Sequence, residues 1–82
     1  MKFQGTLTPI ESSNLNAVGL DKSSPETPVL QVQFRNGRKY NYWPVSQDIY
    51  RGLINAPSAF QYFNSHIKNN PNIKFKEVHE NH

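Results

Sequence analysis

The chain contains no cysteine. Disulfides are therefore excluded as a source of stability, and thiolates as metal ligands or nucleophiles. The same absence fits a chain kept in a reducing compartment. Long apolar runs are missing too, with nothing approaching the roughly 18 apolar residues of a membrane span. Residues 1–10 carry one lysine and scattered apolar side chains, not the continuous apolar stretch of a secretory signal. A cytoplasmic protein with no membrane partner is the expectation. Charge of either sign is sparse: 9 Lys+Arg against 6 Asp+Glu give a formal +3. That permits contact with nucleic acid but lacks the dense basic stripe of a dedicated binder. Internal repeats, heptads and low-complexity tracts are also absent. The 82 residues are enough for one domain, with a core expected over residues 10–78 and a frayed polar tail at 79–82. A chain this short buries only about 60% of its unfolded surface, so every apolar position counts.

What is present is alternation. In residues 29–34, Leu30, Val32 and Phe34 point one way and Gln31 and Gln33 the other. In residues 39–43, Tyr40 and Tyr42 oppose Lys39, Asn41 and Trp43. Asn36-Gly37 joins the two runs, and the loop length decides their register. A two-residue loop pairs Gln33 with Tyr40 and Val32 with Asn41, which mixes apolar and polar side chains on both faces. A three-residue loop of Arg35, Asn36 and Gly37 pairs Phe34 with Arg38, Val32 with Tyr40 and Leu30 with Tyr42. One face then carries Leu30, Val32, Phe34, Tyr40 and Tyr42, and the other Gln31, Gln33, Lys39, Asn41 and Trp43. Only this register is coherent. It requires a type I turn with Gly37 in the left-handed conformation, forming a bulge.

Residues 14–21 read as a further strand, with Gly19 marking a bulge or a close backbone approach. Residues 22–28 (KSSPETP) have no large apolar side chain and read as an exposed turn between strands. Ser46 is suited to cap a helix, with Asp48 in its first turn and Val45 and Tyr50 spaced as a hydrophobic staple. Pro57 ends that helix by disfavouring helical geometry at Ala56. Ser58, with Gln61 three residues on, opens a second helix whose stripe is Phe60, Phe63 and Ile67; Asn69-Asn70-Pro71 closes it. Residues 73–76 read as a short edge strand guarded by lysines, and Phe3 to Leu7 as another short strand. The sum is an α+β domain: a small antiparallel β-meander of three to four strands with two helices packed on one face. Its core is expected to hold Leu15 or Val18, Leu30, Val32, Phe34, Tyr40, Tyr42, Ile49, Leu53, Phe60, Phe63 and Ile67.

Several pieces recur in an order that resembles a known family. They are Ser12-Ser13-Asn14-Leu15, Ala17-Val18-Gly19, residues 30–37 (LQVQFRNG), Tyr40, Tyr42, Val45, Tyr50 and Leu53. Ala56-Pro57-Ser58, Tyr62-Phe63-Asn64 and Ile67 follow. This is similar to the KTSC domain, a module named for its place at the C-terminus of some lysyl-tRNA synthetases and found alone in bacteria and phages. The likeness spans about residues 10–70. It implies no activity, and through the synthetases it implies RNA or tRNA contact by analogy alone. The family tends to carry Lys-Gly after the serine matching Ser58; here Ala59-Phe60 stands there. Any anion bound through that lysine would be lost.

Each candidate site has a functional and a structural reading. The polar sheet face, with Gln31, Gln33, Asn41 and Trp43, could stack and hydrogen-bond single-stranded nucleic acid, or could be a solvated surface with Trp43 tucked against its neighbours. Arg35, Arg38 and Lys39 at the hairpin tip could clamp phosphate, or could keep an exposed turn soluble. Lys68, Lys74 and Lys76 are spread out and read as ordinary solvation. The start of the second helix could hold an anion, but Ser58 and Gln61 already satisfy its donors. His66 has no Asp, Glu or Cys at ligand spacing, so no metal is expected. Asp48 and Glu77 are not paired, no phosphate loop or nucleophile motif appears, and Ser12-Ser13 reads as local turn chemistry. No cofactor is expected.

The sequence thus favours a binding module over an enzyme. RNA or tRNA contact through Arg35, Arg38 and Lys39, with Trp43 and the amides on bases, is the first expectation. A protein partner is the second, because ten aromatics in 82 residues exceed what the core requires. Nothing in the sequence specifies an oligomeric state.

Overall fold

The hairpin fixes the rest of the sheet, and its register is the coherent one. In the computed structural model, which describes residues 3–24 and 26–79, β3 (Val29–Phe34) and β4 (Lys39–Trp43) pair Leu30 with Tyr42 and Val32 with Tyr40. The Gly37 amide donates to the Phe34 carbonyl (2.9 Å), and the Phe34 amide to the Arg38 carbonyl (2.8 Å). Gly37 has φ 90°, in the left-handed region that glycine enters without a Cβ penalty. The Asn36 side chain accepts from the Arg38 amide at 2.9 Å and locks the turn.

The sheet has five antiparallel strands, not three to four, in the order β1-β2-β3-β4-β5. The added strand is β1 (Thr8–Pro9), which pairs with β2 (Leu15–Asp21) through Thr8–Val18 and Pro9–Ala17. The strand expected at Phe3 to Leu7 is absent; that stretch is irregular. Its place is explained by Gly19, where an added Cβ would run into the Thr6 carbonyl and sit 3.2 Å from the Phe3 ring. The missing side chain lets residues 3–6 lie against the sheet, and the Asp21 carboxylate holds them by accepting from the Gln4 amide at 2.7 Å.

Ser46 caps α1 (Gln47–Asn55), its hydroxyl accepting from the Ile49 amide at 3.2 Å. Ala56, before Pro57, is extended at φ −69° and ψ 142°, which stops the helix as the proline demands. Ser58 caps α2 (Ala59–Phe63) by accepting from the Gln61 amide (3.4 Å). The helix then widens into a π turn over Asn64–Lys68, closed by the Asn69 amide on the Asn64 carbonyl at 3.1 Å. The Trp43–Pro44 peptide is cis. Strand β5 (Lys74–Val78) returns beside β4, pairing Tyr42 with Phe75 and Trp43 with Lys74.

Both helices pack on the Leu30, Val32 and Tyr42 face. Leu15, Val18, Leu30, Val32, Val45, Leu53, Phe63 and Ile67 are fully buried there. Leu15 and Val18 both enter, where one was expected. Phe34, Tyr40, Ile49 and Phe60 are only half-buried, so the aromatic end of this layer is less closed than its pattern suggested. Most of the expected frayed tail, residues 80–82, lies outside the described residues, as does Pro25 of the 22–28 turn.

Candidate functional site

The hairpin tip does not hold its three cations together. Arg35, Asn36 and Arg38 are exposed, as a three-residue loop on a bulge requires. Alternation then sends Arg38 to the face of Tyr40 and Tyr42, and Lys39 to the face of Asn41 and Trp43. The Arg35 guanidinium turns toward the segment leading into β2, where its Nε donates to the Ser12 carbonyl at 2.8 Å. Ser12 in turn accepts from the Asn14 and Leu15 amides (3.3 and 3.2 Å), the local turn role read from the sequence. Lys39 is half-buried opposite Val78 and Gln33. The cations therefore diverge over three directions from one tip.

The polar face is not an open amide surface. Gln31 is 7% exposed and Asn41 6%, and they satisfy each other: Gln31 Nε2 donates to Asn41 Oδ1 at 3.0 Å. Gln33 is half-buried and accepts from Asn16 Nδ2 at 3.0 Å. Buried amides behave this way because an unpaired one is costly. The expectation that Gln31 and Asn41 lie ready to meet bases is corrected by this pairing. Trp43 is half-buried beside Lys74 and is the aromatic that the hairpin strands contribute to this face. Asp21 lies farther along the same face. The Ser23 hydroxyl, then the Ser23 and Gln4 amides, hold its carboxyl below the usual carboxylate range.

The opposite face, beyond the helices, holds what the sequence reading missed. A cleft of about 430 Å³ opens between the hairpin, α2 and β5. Its aromatic lining is Phe34, Tyr40, Tyr42, Phe60, Phe63 and Phe75, and Arg38, Lys68, Asn36 and Asn69 also border it. Phe75 stacks on Tyr42 with ring centroids 5.8 Å apart and planes 29° from parallel, yet remains 63% exposed. Phe34 and Tyr40 meet edge to face at 5.6 Å and 87°. Burial, and then the neighbouring Tyr40, push the Tyr42 phenol up to about 12. The Tyr40 hydroxyl donates to Glu77 Oε1 at 3.5 Å. The signal that could have revealed the cleft is Phe75, an aromatic between two lysines on an edge strand.

Among the described residues no group of three or more His, Asp or Glu side chains is placed to hold a metal ion. Nor is any of their helices long and apolar enough to cross a membrane. Comparison with known proteins shows that the KTSC domain model matches residues 11–70. The chain belongs to the KTSC family. An uncharacterized protein of Stutzerimonas stutzeri is 34% identical over 59 residues, covering 72% of this chain and 79% of that protein. The crystal structure of a KTSC domain protein from Yersinia pestis shares the fold at a TM-score of 0.80 and 22% identity, covering 93% of this chain and all of that one. In this KTSC domain the Ala59-Phe60 pair, which departs from the family's usual Lys-Gly, has a structural use: Ala59 enters the core and Phe60 lines the cleft.

Proposed function

We propose that this KTSC domain is a non-catalytic binding module that contacts RNA or tRNA through its basic hairpin. The observation carrying this reading is the tip itself. A turn locked by Gly37 and the Asn36 side chain leaves Arg35 and Arg38 exposed, with Arg35 Nε held by the Ser12 carbonyl and its two terminal nitrogens turned outward for a ligand. Guanidinium groups suit phosphate, which takes them bidentately. With Gln31 and Asn41 engaged to each other, the contact set contracts to Arg35, Arg38 and Lys39, with Gln33 and Trp43 at its margin. The site needs no cofactor, and its setting is the cytoplasm.

The test is RNA binding as a function of salt. The Arg35→Ala/Arg38→Ala double variant should weaken binding of tRNA or single-stranded RNA about tenfold at low salt and flatten the salt dependence by about one to two phosphate contacts. Unchanged binding in that variant ends the proposal. A protein partner is the second reading, favoured by Phe75 and Ile54, large apolar side chains 63% and 45% exposed. Retention of a partner at high salt after nuclease treatment would select it.

A further inference from the structure

We infer that the aromatic cleft between the hairpin, α2 and β5 receives one unpaired base of the bound RNA strand, stacked on Phe75. The inference rests on the RNA reading and deepens it by naming the form of RNA taken. Three observations carry it. The first is the state of Phe75. Its ring leans on Tyr42 at 5.8 Å and 29°, so one side is already part of an aromatic stack, while 63% of the residue stays in solvent. A base laid on Phe75 extends that stack, and bases of every sequence offer a face for it. The second is size: about 430 Å³ falls within the range of roughly 300–1,000 Å³ typical of small-ligand sites, and an aromatic floor with a few amides at its border suits a flat heterocycle. The third is charge. Arg38 and Lys68 reach the cleft from separate elements, the tip and the end of the π turn that follows α2, and so supply cations for the phosphates on either side of one nucleotide. Arg38 also belongs to the tip, so the strand that the tip holds is led into the cleft.

A second copy of the chain fits less well. The edge strand beside Phe75 carries Lys74 and Lys76, the cleft carries Arg38 and Lys68, and the chain is +3 overall, so self-association brings like charges together. A duplex fits poorly as well, because its bases are stacked within it and offer no free face. A further cavity among the described residues, beside the start of α1, mixes Lys22 with Glu26 and has no aromatic lining.

The experiment compares a short fluorescein-labelled oligoadenylate with a blunt RNA duplex of equal length, by anisotropy at low salt, on the full chain. The wild type should prefer the single strand. Phe75→Ala should weaken the single strand about tenfold and leave the duplex unchanged, and Phe75→Tyr should restore binding. Thermal unfolding confirms that each variant is folded, which the exposure of Phe75 favours. Equal single-strand binding by wild type and Phe75→Ala overturns the inference. If the Arg35→Ala/Arg38→Ala variant is weakened at the same time, the basic-tip reading survives alone. Absence of RNA binding in the wild type overturns both. A wild-type dimer in sedimentation that Phe75→Ala turns into monomers overturns the inference in favour of self-association.

Discussion

The two faces of the sheet reverse what their side chains suggest. On the polar face, Gln31 and Asn41 are 7% and 6% exposed and bonded to each other. On the aromatic face, Phe75 is 63% exposed and Phe34, Tyr40 and Phe60 are half-buried. Polarity thus assigns a residue to a face, but it does not say whether that face is covered. Coverage is set by what lies on top. Asp21 and Gly19 draw residues 3–6 onto the polar side, while the helix layer closes Leu30 and Val32 fully and stops short of Phe75.

The contrast is sharpened first within the aromatic face. Phe63 is 1% exposed and touches both Phe34 and Tyr42, so Phe63→Ala should cost about 3–5 kcal/mol in urea unfolding. A loss below about 1 kcal/mol would mean that the closed end is as open as the Phe75 end. On the polar face, Gln31→Leu leaves Asn41 Oδ1 without its donor and should cost about 1–3 kcal/mol, whereas Gln31→Leu/Asn41→Leu should recover most of that. Equal stability of the single variant and wild type would show that the pair is as solvated as a surface amide.

A smaller effect is expected in alkali. The Tyr42 phenol is raised from 10.0 to about 12 by burial and then by Tyr40. Its folded form keeps the proton where the unfolded chain releases it, so its stabilising contribution is complete below pH 10 and fades between pH 10 and about 12. Urea midpoints measured across that window should fall in wild type and fall less in Tyr42→Phe. Parallel declines would place the Tyr42 ring in solvent beside Phe75.

The register of the hairpin was legible because alternation has a period of two. A slip of one residue moves Val32 and Tyr40 onto opposite faces, so one register alone is consistent. The caps at Ser46 and Ser58 and the stop at Ala56 were legible because each is local chemistry within a few residues. The buried Gln31–Asn41 pair was not, because burial there depends on neighbours distant in the chain. The cleft was hidden for a related reason. Alternation places Phe75 and Tyr42 on the helix side, but how far the helices extend over that side depends on their packing, not on any residue of β5. The basic tip was visible as three cations in five residues, and its divergence follows only when the bulge and pleat are in place.

Strand β5 brings a kinetic consequence. Its residues are exposed at Lys74, Phe75 and Lys76 and only half-buried at Glu77 and Val78, and it pairs with β4 alone, at the margin of the sheet. Little apolar burial resists its departure, so β5 can peel away at a free energy well below that of global unfolding. Hydrogen exchange should be faster along β5 than along β3. The ring that floors the cleft is thus mounted on the strand that opens most readily, and a ligand stacked on Phe75 would slow that opening while leaving the buried layer beneath unaltered.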